Sequence, residues 1–238
     1  MTNEHTKVRI KFSKYGSMIF IGHLDIMRYF QKAMRRADID IAYTTGFNPH
    51  QIMSFAAPLG VGLYSNGEYL DIEMNEPMNS KLMITRLNSV MVEGIDILSV
   101  KKLPKTAGNA MASVAAAAYT VAFREGYEPD FDYKEKLSDF ASKDRIMVTK
   151  KTKKSEKEMD LKPFIYELSI VNDKIHMLVD ASSSGNIKPS LVMEAFYKEN
   201  GEVPSEFAFI ITREDTYTNI GTDEKSEFVP LDAVGSEM

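Results

Sequence analysis

His23, Asp25 and His50 are the side chains of this sequence whose types could ligate a metal ion or pass a proton. Two imidazoles and a carboxylate make a workable ligand set for a transition metal. Their spacing works against it. His23 and Asp25 are two apart at the start of an expected helix, where side chains share a face at separations of three or four. Asp25 is therefore expected as a first-turn acid favoured by the helix dipole, and His23 as a packing residue. His50 ends Gly46-Phe47-Asn48-Pro49-His50, a turn in which Pro49 pushes Asn48 to an extended conformation. A stand-alone RNA-acting metal-dependent hydrolase or nuclease using His23, Asp25 and His50 is kept as an alternative. No catalytic residue and no metal ligand are assigned.

The cations form a more coherent group. Arg28, Lys32, Arg35 and Arg36 fall at i, i+4, i+7 and i+8, so they share one helix face. Such a row suits phosphate, which Arg grips with two parallel hydrogen bonds. It also suits a solvated face with cations near the negative end of the helix dipole. Lys7, Arg9 and Lys11 alternate with Val8, Ile10 and Phe12, as on a half-buried strand. They would occupy a sheet face that helices leave open, the face on which some open sheets bind single-stranded RNA. Together with Phe47, Asn48 and His50, these seven cations are the expected RNA- or partner-binding set. Glu68, Asp71 and Glu73 lie on a strand, the last two on one face, and an exposed hairpin accounts for them. Lys150-Lys151-Thr152-Lys153-Lys154 reads as a solvated charged turn.

The positioning elements follow from periodicity. A strand is expected over 7–12 and a helix over 23–37, with Leu24, Met27, Phe30, Met34 and Ala37 inward. A short strand over 39–44 and a long loop over 45–58 follow, the loop long enough to suggest a role. Strands over 59–64 and 68–74 flank Asn66-Gly67, a hairpin signal. A helix over 80–92, with Ser80 as N-cap, and a strand over 95–103 complete a β-α-β-β-α-β order. After a Gly/Ala/Ser-rich stretch the pattern restarts. Strands are expected over 119–124 and 145–150 around a helix over 131–143. A hairpin of 164–171 and 174–180 follows across Asn172-Asp173, then a helix over 189–200 opened by Pro189, and a strand over 207–213. The expected class is α+β: tandem ferredoxin-like (βαββαβ) units, the second irregular. Residues 1–104 form the first unit, 105–117 a linker, 118–218 the second unit and 219–238 an acidic disordered tail.

Composition narrows the function classes. The chain has 238 residues, 44% of them hydrophobic, and a net charge of −5. That average hides two opposed segments. Residues 7–50 carry eight Lys/Arg against three Asp, whereas 213–238 carry two cations against seven carboxylates. With no cysteine there is no disulfide, no thiolate nucleophile and no Cys-ligated zinc or iron–sulfur cluster. No apolar run approaches the roughly 20 residues that span a bilayer, and MTNEHTKVRI lacks the apolar core of a signal peptide. No membrane association and a cytoplasmic location are expected. The fifteen methionines fall mostly at core spacings.

Five short motifs, in order, carry a resemblance: Phe12-Ser13-Lys14, His23–Arg28, Arg35-Arg36-Ala37, Gly46–His50 and Gly67–Glu73. Over residues 7–104, and more faintly through Asp160-Leu161-Lys162-Pro163 and Ile187-Lys188-Pro189, the sequence resembles the uncharacterised bacterial "radical SAM-linked protein" family. It departs at Gly22, where relatives carry Ser; glycine still serves as an N-cap. The resemblance implies a partner, a radical SAM enzyme fused to such proteins or encoded beside them, and a role near RNA. It brings no catalytic residue. S-adenosylmethionine and an iron–sulfur cluster are expected only in that partner, with no cofactor bound by this chain. The expectation is a non-catalytic accessory protein that binds or presents an RNA or ribonucleoprotein substrate. The remaining alternative is a protein–protein adaptor without nucleic acid.

Overall fold

The computed structural model describes residues 5–151, 156–222 and 225–238. The chain is an α+β protein that divides into two compact units, Met1–Ala115 with Arg213–Met238, and Ala116–Thr212. Among the described residues no helix is long and apolar enough to cross a membrane.

In the first unit, β1 (Thr6–Lys14) leads through a 3-10 turn, Gly16–Phe20, into α1 (His23–Arg36). Then come β2 (Met53–Phe55), β3 (Tyr64–Met74), α2 (Ser80–Asn88) and β4 (Ile97–Lys102). The alternation of β1 holds: Val8, Ile10 and Phe12 are buried together against Ile26, Phe30 and Met34 of α1 and Met83 and Leu87 of α2. β1 is central, antiparallel to β3 on one side and β4 on the other. β2 pairs with β3, antiparallel, from Met53 opposite Ile72 to Phe55 opposite Leu70.

Local chemistry explains where this departs from the periodicity. The apolar face of α1 is Ile26, Phe30, Ala33 and Met34, and Leu24 is exposed. The side chain of Asn79, not Ser80, caps α2 by accepting from the N–H groups of Lys81 and Leu82. The stretch 39–44 makes isolated bridges, Ile41 to Met74 and Tyr43 to Gln51, instead of a strand. Asn66-Gly67 is no hairpin turn, because β3 runs straight through it. A Cβ on Gly67 would come within 2.6 Å of the Asp215 backbone. The glycine therefore serves close strand approach, a second reason for Gly in a strand.

The largest correction is the tail. β10 (Phe209–Asn219) reaches the first unit through Arg213–Asn219 and lies beside β3. β11 (Phe228–Pro230) pairs with it, and a 3-10 turn, Leu231–Val234, buries Leu231 completely. Ser236 bridges to Lys102, and the Met238 carbonyl accepts from the Asn79 amide. The expectation of disorder over 219–238 rested on charge and missing periodicity. Folding instead uses those charges as partners for the sheet.

The second unit contains β5 (Ala116–Phe123), α3 (Tyr133–Ala141), β6 (Met147–Lys151), β7 (Glu156–Asp160), β8 (Ile165–Val171), β9 (Lys174–Asp180), α4 (Pro189–Glu199) and the start of β10. Asn172 and Asp173 both have positive φ, 51° and 61°, as a tight hairpin turn requires. Strand order is β10-β5-β9-β8, while β6 and β7 form a separate ribbon. The stretch expected as a second sheet strand over 145–150 is half of that ribbon. Of the basic run beside it, Thr152, Lys153 and Lys154 lie outside the described residues.

Candidate nucleic-acid interface

The row on α1 is presented to solvent. Arg28, Lys32, Arg35 and Arg36 are all exposed. Arg28 Nη1 donates to Asp25 at 3.1 Å, an ion pair with both partners about two-thirds exposed, which screening makes weak. Arg36 is the most engaged member. It donates to the Val90 carbonyl at 3.3 Å and lies over the Tyr29 ring, 5.7 Å from its centre. Lys32 and Arg35 make no hydrogen bond or ion pair among the described residues.

The Gly46–His50 turn is the tip of a narrow finger, not part of a long open loop. Thr44 N–H donates to the His50 carbonyl at 2.9 Å, and His50 N–H donates to Thr44 Oγ1 at 3.1 Å. The His50 ring lies 3.1 Å from the same hydroxyl, so the imidazole belongs to the finger's closure. Phe47 at the tip is fully exposed. At the base, Gln51 Nε2 donates to the Gln31 carbonyl on α1. Gln31 is three residues after Arg28 and four before Arg35, so the finger's stem meets the helix beside the basic row. Leu24, four residues before Arg28, and Phe20 in the preceding turn are also exposed. The cations thus share their surroundings with apolar side chains that a local reading of the sequence assigned to the core or passed over.

The strand cations are a correction. Arg9 is 1% exposed and grips Asp71, directly opposite on β3, through Nε at 2.7 Å and Nη2 at 2.8 Å. Its Nη1 donates to the Leu231 carbonyl. Lys11 Nζ donates to Asp215 at 2.6 Å, and Lys7 Nζ donates to the Ala107 carbonyl at 3.2 Å. Tyr69 bridges Asp215 and Asp232, and Ser99 donates to Asp232. Burial and these carboxylates push the Tyr69 hydroxyl pKa far up. The expected open sheet face is a closed polar layer under the C-terminal segment. Arg9 and Lys11 hold the fold together and are not free for phosphate. The carboxylates are taken as well: Glu68 accepts from Ser65 and Arg213, and Glu73 meets His5.

His23, Asp25 and His50 are not brought together. The His23 ring stacks edge-on against Phe55 with centres 5.1 Å apart, Asp25 faces Arg28 and His50 faces Thr44. Among the described residues no three His, Asp or Glu side chains converge. His23 instead lines a small pocket with Phe12, Lys14, Ile21, Phe55 and Glu68. Lys14 is 3% exposed, because β1 runs two residues past the expected strand and keeps it in the register of Val8, Ile10 and Phe12.

Residues 7–189 match the family described as "Uncharacterized protein conserved in bacteria (DUF2344)". The chain belongs to this family. No curated protein matches it. In this DUF2344 member, three of the motifs that carry the sequence resemblance meet at one place: Phe12 and Lys14 from the first, His23 and Ile26 from the second and Glu68 from the last all line the pocket. The motif Gly46–His50 forms the finger. A surface row and a buried pocket are therefore both built from α1, the pocket at its first turn and the row from Arg28 to its end.

Proposed function

We propose that this protein is a non-catalytic accessory factor that holds an RNA or ribonucleoprotein substrate for a separate radical SAM enzyme in the bacterial cytoplasm. The observation that carries RNA contact is the exposed row of Arg28, Lys32 and Arg35, with the Phe47 finger rooted beside it at Gln31. Cations that track a phosphate backbone and an aromatic ring on which a base can stack are the two parts of a sequence-tolerant single-strand site. The enzyme class comes from the resemblance alone. The absence of cysteine supports placing cluster and S-adenosylmethionine in that enzyme.

We also read both units as ferredoxin-like. In the first, the strand order β4-β1-β3 with β2 on β3 supports this, and in the second the order β10-β5-β9-β8. Each runs fourth-first-third-second once the β6–β7 ribbon is set aside as an insertion.

Binding of a single-stranded RNA, measured against salt, tests the function. The double variant Arg28→Ala, Arg35→Ala should lower the slope of log affinity against log salt by roughly 1.4, about 0.7 per lost phosphate contact. An unchanged affinity and slope would defeat the RNA reading. Co-purification of a radical SAM enzyme with the tagged protein from its native cells tests the partner, and its failure would remove that half of the proposal.

A further inference from the structure

The pocket beneath the first turn of α1 contains a lysine in an unusual position. Lys14 ends β1 with 3% of its surface exposed, yet its Nζ makes no hydrogen bond or close ion pair among the described residues. An ammonium carries three donors, and leaving them unsatisfied in the interior is costly. Its charged neighbours are Glu68 and Arg213. Glu68 Oε1 already accepts from Ser65 Oγ at 2.9 Å and Arg213 Nη1 at 2.8 Å. Glu68 is thus already engaged, and the three N–H donors of Lys14 face the pocket without an acceptor among the described residues.

The rest of the pocket points the same way. Its walls are largely apolar, supplied by Phe12, Ile21, Ile26, Phe55 and Leu59. His23, the first residue of α1, faces it and makes no hydrogen bond among the described residues. Gly22 at the N-cap offers no side chain to the first turn; its carbonyl accepts from Asp25 and Ile26, which leaves the amides of His23 and Leu24 without an acceptor among the described residues. A helix start favours negative charge. The void measures about 20 Å³, room for a single water-sized atom.

We propose that this pocket is an oxyanion site, in which Lys14, assisted by His23 and the uncapped start of α1, receives one oxygen of a carboxylate or phosphate group whose remainder lies outside. The size of the void sets the one-oxygen limit, and the unsatisfied donors of the Lys14 ammonium set the kind of ligand, an anionic acceptor. The site is independent of the RNA-binding row, which lies on the solvent side of the helix. Burial lowers the Lys14 pKa below the usual lysine value, Glu68 opposing and Arg213 adding to the fall. A bound anion favours the charged ammonium, so binding draws a proton onto Lys14 and tightens as pH falls through its lowered pKa.

Acetate and inorganic phosphate, each exchanged for chloride at constant ionic strength, serve as probes. The readout is NMR of the lysine ε-methylene and histidine ring signals of the full chain. Saturable shifts at Lys14 and His23, with His50 unmoved and the Lys14 pKa raised at saturation, are expected for one or both anions. Response to acetate alone assigns a carboxylate, and to phosphate alone a phosphate. Lys14→Met should weaken binding at least tenfold. The proposal is overturned if neither anion shifts Lys14 saturably, or if Lys14→Met binds as tightly as wild type. Should that variant fail to fold, the wild-type titration decides by itself.

Discussion

Replacing Arg9 by Met should unfold the first unit more readily than any surface change, and the size of the effect can be argued from its contacts. Arg9 is buried and spends three N–H groups, two on Asp71 and one on the Leu231 carbonyl. The Met chain replaces much of the apolar stem but none of these bonds. Asp71, 8% exposed at its side chain, is then left as a buried carboxylate facing no cation. Breaking one partner of a buried pair costs about 3–5 kcal/mol, mostly the desolvation of the survivor. Removing both partners is different. Arg9→Met with Asp71→Leu leaves no orphaned charge and should return to within roughly 2 kcal/mol of wild type, because apolar replacements of buried pairs are often near neutral.

Native-state hydrogen exchange at the amides of Ile10 and Leu70, which lie opposite each other across β1 and β3, reads this unit specifically. Protection should fall by about 3–5 kcal/mol in Arg9→Met and recover in the double variant. Limited proteolysis adds a second reading, since loss of the bond to Leu231 should speed cleavage within 225–238. A loss below about 1 kcal/mol, the range of exposed pairs, would refute the reasoning. A double variant no better than the single one would refute it equally.

Three further outcomes are expected. Tyr197 Oη is buried in the second unit without a hydrogen-bond partner among the described residues, so Tyr197→Phe should stabilise by about 1–3 kcal/mol in thermal unfolding. Burial, with Glu202 and Glu128, pushes this hydroxyl up to about 12. Stability from its neutral form is full below pH 10 and lost as pH rises towards 12, and the variant should lack that alkaline loss. Lys14 is the opposite case: its lowered pKa means that the folded state gains stability as pH rises towards 10.5. In urea titrations Lys14→Met should therefore be the more stable protein at neutral pH, with the advantage shrinking above it. Phe47→Ala should leave unfolding unchanged within about 0.5 kcal/mol, because the ring touches solvent, while weakening RNA by about 1–3 kcal/mol if a base stacks there.

Elements whose own side chains decide them were legible in the sequence. The alternation of Val8, Ile10 and Phe12, the spacing of Phe30 and Met34, Pro189 at the start of α4 and the Asn172-Asp173 turn all describe what the chain does. Elements decided from a distance were not. Gly67 looks like a turn residue until Asp215, far along the chain, fills the place of its missing Cβ. Leu24 fits the helix period but faces away from the side on which Ile26 and Ala33 settle. Lys14 falls in the buried register of Val8, Ile10 and Phe12, two residues past the end of the expected strand, and nothing local marks it as the neighbour of His23. The basic row on α1 could be read because spacing alone puts its members on one face. The finger's exposure at Phe47 could not, because it depends on the Thr44–His50 closure.

The opposed charges of the two chain segments explain why that row and not the strand is the candidate surface. Residues 7–50 are rich in cations and residues 213–238 in carboxylates, and near neutrality of their sum says nothing of where they meet. They meet on the sheet. Asp215 takes Lys11, the Leu231 carbonyl takes Arg9, and Glu237 takes Lys101 of β4. The Lys11–Asp215 pair is mostly buried and so poorly screened, whereas Glu237 is largely exposed. The acidic segment thus neutralises Lys11, Asp71 of β3 neutralises Arg9, and the cations of α1 are left untouched, since Arg28 has only the exposed Asp25 and Arg35 has no ion-pair partner among the described residues. The positive field that survives folding is that of the helix, and a polyanion steered by charge would arrive there. A variant with carboxylates added along α1, at Lys32 and Arg35, should therefore lose salt-dependent binding without losing stability. The same reversal at Lys11 should cost stability first.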